Sequence, residues 1–552
     1  MVSVLLIWIY MILTCYVLGF SVLLTVCGKQ YRIKKESSFL FAGITAVTVY
    51  AQFFSIFYKV GFLANVILLL LCGVCIYCFR KELAEHLHRL RLTITPVKAG
   101  VTVLLFVLFA YGTSTGVIHY DTGLYHAQSI RWIEEYGIVP GLGNLHSRLA
   151  YNSASFCLSA LYSFAFLGKQ SFHCCAGFFA FLLAVVCTEG LTRERIKRPQ
   201  ISDFVRLMGI YYLLIIFDEM VSPASDYFMV LSVFYILIRW LDLVAEREKS
   251  YLPYALLCVM CVSVLTIKLS GALILLLTIK PAVMMVREKR GKEIVKFLSM
   301  GFLTSLPFFI RNVILSGWLI YPFTFIDFFS FDFKIPKGMA DYDAKEIQVW
   351  GRGFSDVTRY DDSIIEWLPE WVMSLDGVNK IFLALALSSL VMFLGLCVYA
   401  IKERKKDMVD FLLVTGTVAV CFLFWLTSAP LIRYGCIYLW VLPVMVWGYF
   451  YRKIAVGLDR YKVYMVFILL LGCYKAGAFV LETISAATGE YLVWQKDYEN
   501  YETVSYKLHG HTFYYPMEGD RTGYKDFPAA PLKAEDIFRG DSIEDGFKDV
   551  VH

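Results

Sequence analysis

Residues 4–27 read VLLIWIYMILTCYVLGFSVLLTVC, an apolar run without a single charged side chain. A helix needs about 20 mostly apolar residues to cross a bilayer, so this run predicts a membrane span. The run is long for a signal peptide, and it has neither a preceding basic segment nor a small-residue cleavage site. Similar runs recur to about residue 482, which predicts an all-α fold, a polytopic bundle of transmembrane helices.

The composition agrees with a membrane protein. The 552 residues are 58% hydrophobic and 18% charged, whereas soluble domains are about 45–50% apolar. A net charge of +6, from 52 basic and 46 acidic residues, is too small to indicate nucleic acid as a partner. Most of the fifteen cysteines lie inside apolar runs, where cysteine acts as a small hydrophobe. Cys258 and Cys261 have zinc-like spacing but no second pair.

The apolar runs predict about fourteen spans and, through the loops between them, a topology. The predicted spans are 3–26, 38–57, 60–79, 98–118, 171–188, 205–217, 226–245, 251–267, 271–286, 294–310, 380–400, 409–427, 437–451 and 463–482. Short loops rich in Lys and Arg stay in the cytoplasm. Seven such loops fall on one side if the N-terminus is outside: 28–35, 80–92, 192–198, 246–249, 287–293, 402–406 and 452–462.

This topology divides the chain into six segments. They are the N-terminal spans 1–118, a first outer loop 119–170, core spans 171–310, a long outer loop 311–379, C-terminal spans 380–482 and an extracytoplasmic tail 483–552. In the first outer loop, residues 124–136 predict an interfacial helix that stops at Gly137. Residues 153–168 are apolar, but another span there would place the basic loop 192–198 outside. We therefore expect a helix on or in the outer leaflet.

Two acidic residues open outward elements. Asp121 follows the fourth predicted span directly, and Asp226 stands at the start of a later one. Each also has an ordinary interpretation. Asp121 could be a solvated loop carboxylate, and Asp226 could cap its helix, because Asp at that position accepts hydrogen bonds from free N–H groups.

Three basic residues break the pattern of basic loops inside. Lys268, Arg311 and Arg433 are all predicted at outer span ends. Their ordinary interpretation is snorkelling to lipid headgroups. Gathered with two aspartates, they instead predict a site for an anionic group such as the phosphate of a lipid.

These residues resemble the GT-C superfamily of polytopic glycosyltransferases. In that superfamily a first outer loop begins with an acidic catalytic residue and continues into interfacial helices, and a second acidic residue opens a later span. HYDTGLYH (119–126) and SPASDYF (222–228) match these two positions, and RNVILSGWLIYPF (311–323) is similar to an arginine-bearing segment of bacterial members. The chain departs in having about four spans before the loop instead of one. Most of it also resembles a family of uncharacterised bacterial multispanning proteins.

The resemblance implies an inverting enzyme in the bacterial cytoplasmic membrane, with its site facing the periplasm or exterior. The donor would be a polyprenyl-phosphate sugar, and the acceptor a hydroxyl or amine on a glycan, lipid or protein. Asp121 would accept the acceptor's proton. Asp226 would either hold the acceptor or bind a divalent ion, Mg²⁺ or Mn²⁺. The cations Lys268, Arg311 and Arg433 would neutralise the leaving phosphate.

Further residues of the first outer loop are candidates for substrate binding. They are Tyr120, Tyr125 and three histidines, His119, His126 and His146. The histidine spacings of seven and twenty do not match a helical zinc pair, so we expect hydrogen bonds to sugar or phosphate; ordinary loop histidines are the alternative.

The outer loop 311–379 and the tail are expected to form a small cap over the site. Two rival functions remain open. A glycan polymerase or ligase would use the same class of donor, with a dominant late outer loop. A lipid or sugar transporter or flippase would also need many spans, but its charges are expected near the bilayer midplane.

Overall fold

A computed structural model describes residues 1–28, 33–454, 460–471, 473, 477, 480–481, 490–535 and 537–549. The fold is mostly helical. Its α-helices are α1 (Val2–Cys27), α2 (Ser37–Phe57), α3 (Phe62–Thr93), α4 (Pro96–Ser114), α5 (Ala127–Glu135), α6 (Ala154–Leu161), α7 (Cys175–Thr188), α8 (Arg193–Lys197), α9 (Ile201–Ile215), α10 (Ser225–Ala245), α11 (Leu252–Ile267), α12 (Ile279–Arg287), α13 (Gly291–Ser316), α14 (Lys337–Gly351), α15 (Ile364–Ser374), α16 (Gly377–Lys402), α17 (Val409–Thr427), α18 (Ile432–Ile454) and α19 (Arg460–Leu471).

Within the described residues, ten helices are long and apolar enough to cross a membrane, as in a multi-pass membrane protein. They are α1, α2, α3, α4, α10, α12 with the 3₁₀ segment Leu269–Thr278 before it, α13, α16, α17 with the turn before it, and α18. Each coincides with one of the predicted spans.

The other four predicted spans do not reach that length in the described residues. Helices α7, α9 and α11 have 14, 15 and 16 residues, and almost every residue of α7 is buried. Protein contacts also bury ten of the fifteen residues of α9 and nine of the sixteen of α11, so much of the apolar surface of these helices is covered by protein. The fourth run, 463–482, lies partly outside the described residues.

One local prediction was wrong, and another is not tested. The basic segment 80–92 is not a loop, because α3 continues through it to Thr93 after a break in helical geometry at Phe79. The apolar segment 153–168 begins with a short helix inside the protein, and its position relative to the outer leaflet stays a prediction. Its helix α6 has eight residues, all of them buried in the hydrophobic core of the protein.

Helices α1 and α2 pack closely through two glycines. A Cβ atom on Gly19 would overlap the backbone carbonyl of Phe39, and one on Gly43 would overlap the carbonyl of Cys15. Small residues at such crossings let helix backbones approach within a membrane. This pair forms one wall of the bundle.

The tail departs from the all-α prediction because it contains a β-hairpin. Strands β1 (Thr503–Leu508) and β2 (His511–Pro516) pair antiparallel through a two-residue turn in which both His509 and Gly510 have positive φ. The tail packs on the first outer loop, where Phe513 and Phe547 share an apolar cluster with Trp132. The described tail therefore covers the first outer loop.

Candidate functional site

Four charged side chains meet at one end of the bundle. Arg433 Nη2 donates to Asp121 Oδ2 at 2.6 Å, and Arg433 Nε lies 3.9 Å from Asp226 Oδ2. Lys268 Nζ donates to the other oxygen of Asp226. The carboxylates of Asp121 and Asp226 are mostly buried, with 15% and 8% of their side chains exposed. Two acids and two bases therefore form one compact network, which we call the outer charge cluster.

Backbone contacts between two loops bring Asp121 to this cluster. After α4 ends, Gly116 takes a φ of 100° against the carbonyl of Asp218, where a Cβ atom would overlap it. The Val117 N–H then donates to the Asp218 carbonyl at 2.7 Å. The His119 N–H donates to Ser222 Oγ, also at 2.7 Å. These bonds tie the start of the first outer loop to the turn before α10.

Asp226 does not act as a hydrogen-bonding cap of α10. It lies in the first turn, 6% exposed, while the N-cap residue is Ala224 and makes no side-chain cap bond. The Asp226 carboxylate instead binds Lys268, which follows the last residue of α11. Asp226 is therefore better described as an ion-pair partner of Lys268 than as a helix cap. The negative charge of Asp226 still complements the dipole of α10.

Arg433 is the centre of the cluster. Its Nε atom is buried and makes no hydrogen bond within the described part of the chain. The anionic group that faces this atom is the Asp226 carboxylate, whose Oδ2 lies 3.9 Å away. Tyr434 lies beside it, with Lys268 Nζ 3.9 Å from its ring centroid.

The cluster sets the charge state of Asp121. Burial by itself would raise the pKa of the Asp121 carboxyl, but Arg433, with His126 and His119, holds the pKa below its ordinary value. Asp121 is therefore ionised at neutral pH. Its hydrogen bond within the described residues reaches Oδ2, which leaves Oδ1 to accept a proton or a hydrogen bond from a ligand.

The three histidines divide between two places. His119 accepts the Asp121 N–H at 3.1 Å and contacts Arg433, and its ring centroid lies 6.5 Å from that of His126. Burial lowers the pKa of His126 to about 3. Burial followed by Arg148 lowers the pKa of His146 to about 4, and His146 caps a short 3₁₀ turn instead of contacting His119.

The geometry offers little to a metal ion. Among the described residues, no group of three or more His, Cys, Asp or Glu side chains is arranged to hold one. Asp121 and Asp226 each already bind a cationic side chain. An Mg²⁺ or Mn²⁺ ion would have to displace Arg433 or Lys268, so the residues present do not fit a divalent cofactor.

The two tyrosines border the cluster differently. Tyr125 packs at 4.4 Å from the His126 ring, and burial together with Asp121 raises its pKa well above the ordinary value. Tyr120 is 49% exposed and donates to Asp520 of the tail. Tyr120 thus joins the cluster's border to the cap.

Arg311 lies away from the outer charge cluster. Helix α13 continues through it to Ser316 and ends at Gly317, whose φ is 76°, so the predicted loop boundary at residue 311 comes too early. The buried guanidinium donates to Ser55 Oγ at 2.5 Å, Asn152 Oδ1 at 3.3 Å and the Gly137 carbonyl at 3.4 Å. Arg311 therefore ties α13 to α2 and to the first outer loop.

A family model described as a domain of unknown function, DUF8201, matches residues 1–440. The chain belongs to the DUF8201 family. Comparison with curated proteins and with solved structures finds no match. The DUF8201 segment contains the whole outer charge cluster, whereas the described tail from residue 490 lies beyond it.

Sequence reasoning missed two residues that border the outer charge cluster. Tyr434 follows Arg433 directly, but only the fold places its ring under Lys268. Arg148 has a side chain that is 16% exposed, its nearest carboxylate is that of Glu346 at 3.9 Å, and its charge reaches Asp121 and Tyr125. The sequence feature that could have identified Arg148 is its position as a basic residue inside a predicted outer loop.

Proposed function

We propose that the protein is an inverting GT-C-type membrane glycosyltransferase. It would transfer a sugar from a polyprenyl-phosphate donor to a hydroxyl or amine of a glycan, lipid or protein acceptor. The proposal depends on one observation above all. The ionised Asp121 of the first outer loop is bound by Arg433 of α18 at 2.6 Å, in a cluster that also contains Asp226 and Lys268.

The chemistry follows from these groups. Asp121 Oδ1 takes the proton of the acceptor, whose oxygen or nitrogen forms the new bond to the anomeric carbon. The bond from that carbon to the phosphate oxygen breaks, and its electron pair leaves with the polyprenyl phosphate. Arg433 and Lys268 neutralise the phosphate, and a cation does this most effectively in a site poor in water. A single displacement of this kind inverts the anomeric centre.

The remaining candidates would assist in binding. Tyr125 and the neutral His126 border Asp121 and can form hydrogen bonds to a sugar. His119 orients the loop through its bond with the Asp121 N–H. Asp226 holds Lys268 and is placed to orient the acceptor. His146 and Arg311 remain proposed substrate contacts only if the donor reaches beyond the cluster.

The location of the charges favours an enzyme over a transporter. Asp226 and Arg433 lie in the first turns of α10 and α18, and Lys268 follows the end of α11. Transporters of the inverted-repeat type bind their substrates near the bilayer midplane. A glycan polymerase or ligase would share the donor and the outer site, so the identity of the acceptor separates it from a simple transferase.

The proposed topology has about fourteen spans, with α7, α9 and α11 as short spans inside the bundle. The basic loops would be cytoplasmic by the positive-inside rule, and the outer charge cluster would face the periplasm or exterior of a bacterial cytoplasmic membrane. This orientation suits a donor that has already been carried across the membrane.

The test is a transfer assay with full-length protein in proteoliposomes and a panel of polyprenyl-phosphate sugars. Asp121→Asn is expected to lower the transfer rate by about 10²–10⁴-fold, the usual contribution of a general base. Asp541→Asn, which changes an exposed tail carboxylate, is the matched control. Undiminished transfer by the Asp121→Asn protein would refute the proposed base, and sugar uptake that survives this change and Asp226→Asn would favour the transporter.

A further inference from the structure

A cavity lies far from the outer charge cluster, at the other end of α10. It has a volume of about 400 Å³ and lies between α1, α2, α10, α11 and α13. Its polar end is lined by Lys34, Arg239, Glu246 and Glu248. Asp226 and Glu246 stand at opposite ends of α10, about 30 Å apart at 1.5 Å per residue. We call this cavity the α2–α13 groove.

The walls of the groove are apolar and belong to membrane helices. Along α2 they extend from Ser38 to Val49, about 17 Å at the rise of an α-helix. One leaflet contributes about 15 Å of hydrocarbon to a bilayer, so the groove is one leaflet deep. Leu303 of α13 lines the groove and is 53% exposed, so the groove is open towards surrounding lipid.

A buried network leaves one positive charge at the polar end. Asp203 and Asp242 are shared by three guanidinium groups, those of Arg195, Arg206 and Arg239. Arg206 holds Asp242 at 2.5 Å, and Arg239 reaches the same carboxylate only through Nη1, at 3.1 Å. Arg239 is 9% exposed and lines the groove. Within the described residues, three cations against two anions leave this network with an excess positive charge, and Arg239 is the member that lines the groove.

At the same polar end of the groove, carboxylates outnumber their cationic partners. Glu246 and Glu248 share a single ammonium group in the described part of the chain, with Lys34 Nζ at 2.9 Å and 3.5 Å from their carboxylates. Among the described residues of this polar end, one negative charge is left over. The polar end thus presents a cationic group and an anionic group side by side, above an apolar groove.

We propose that the α2–α13 groove binds a phospholipid whose headgroup pairs a phosphate with a primary ammonium, as phosphatidylethanolamine does. The phosphate binds Arg239, the ammonium binds Glu246 and Glu248, and an acyl chain fills the groove. Charge-assisted hydrogen bonds to both groups select this headgroup. A polyprenyl chain is longer than one leaflet, so the depth favours an ordinary membrane lipid.

The test measures lipid binding to the purified full-length protein by native mass spectrometry. The probes are the dioleoyl forms of phosphatidylethanolamine, phosphatidylcholine and phosphatidylglycerol, with a polyprenyl phosphate as a fourth arm. Phosphatidylethanolamine is expected to bind at least about tenfold more tightly than phosphatidylcholine, whose trimethylated nitrogen has no N–H to donate. The double change Glu246→Gln and Glu248→Gln is expected to abolish that preference.

A matched pair of tryptophan substitutions tests the groove itself. Ala46→Trp fills the groove and should displace the lipid. Val391 lies on α16 and is 72% exposed, so Val391→Trp adds the same side chain outside the groove and should leave lipid binding unchanged. The proposal is overturned if the wild type binds phosphatidylethanolamine and phosphatidylcholine equally, if Ala46→Trp binds as the wild type does, or if the polyprenyl phosphate binds most tightly. The glutamate variants change partly exposed side chains, so they test the headgroup even if Ala46→Trp does not fold.

Discussion

Arg433 Nη2 lies 2.6 Å from Asp121 Oδ2, although the two residues are 312 positions apart in the chain. This bond joins the start of the first outer loop to the first turn of α18. Arg433 also lies between Asp121 and Asp226, so it balances two buried carboxylates. Its removal should therefore change the charge state of the site as well as its contacts.

Arg433→Gln should shift the pH dependence of transfer. Arg433 holds the pKa of Asp121 down, so the base is ionised above that pKa and activity is lost as pH falls through it. Without the cation the pKa rises, and the acid limb of the pH–rate profile should move to higher pH. Arg359→Gln, at an exposed ion pair, is the control. An unmoved acid limb in an active Arg433→Gln protein would count against Asp121 as the titrating base.

Glu134 should make the stability of the cap depend on pH. The carboxyl accepts from Ser171 Oγ at 2.8 Å and from Tyr524 OH of the tail at 2.5 Å, and burial raises its pKa from 4.5 to about 7. The folded state thus keeps a proton that the unfolded state loses. Stability should fall by up to about 3 kcal/mol as pH rises from 4.5 to 7, and stay at the lower level above that.

Thermal unfolding of the purified protein across this pH range is the measurement. Glu134→Gln should flatten the profile, whereas Glu135→Gln, which changes the exposed neighbour, should leave it as in the wild type. Equal slopes for both variants would show that Glu134 does not titrate in this range.

Gln128→Ala should loosen the tail. The Gln128 amide donates to the carbonyls of Gly523 and Asp526, both at 2.9 Å, and accepts the Ala529 N–H at 3.2 Å. The change leaves three backbone groups without this partner, at a cost of about 2–4 kcal/mol. Limited proteolysis should cut the tail much faster than in the wild type or in the control Gln348→Ala in α14. An unchanged cleavage rate would mean that other contacts alone hold the tail.

Arg311→Ala should act on stability. It removes hydrogen bonds to Ser55, Gly137 and Asn152 and leaves a cavity in the core, which together cost about 2–5 kcal/mol. Thermal unfolding measures this loss, with Arg404→Ala at an exposed loop position as the control. If the variant unfolds like the wild type and instead loses donor affinity, Arg311 is a substrate contact, as the sequence predicts.

Local sequence was sufficient for much of the fold. Ten predicted spans are helices of sufficient length because a run of about 20 apolar residues has few stable alternatives in a bilayer. The same runs placed Asp121, Asp226, Lys268 and Arg433 at span ends. The sequence could not distinguish α7, α9 and α11 from longer spans, because helices buried by protein and helices buried by lipid are built from the same apolar residue types.

The sequence by itself determined which segments are apolar, where they end and which ionisable residues stand at those ends, since these properties depend on neighbouring residues only. Tertiary structure alone decided which of those residues meet. It brought Arg433 to Asp121 and Asp226, kept Arg311 apart among Ser55, Gly137 and Asn152, and laid the tail hairpin on the first outer loop. Contacts between residues hundreds of positions apart depend on which helices pack together, and hydrophobic periodicity does not specify that packing.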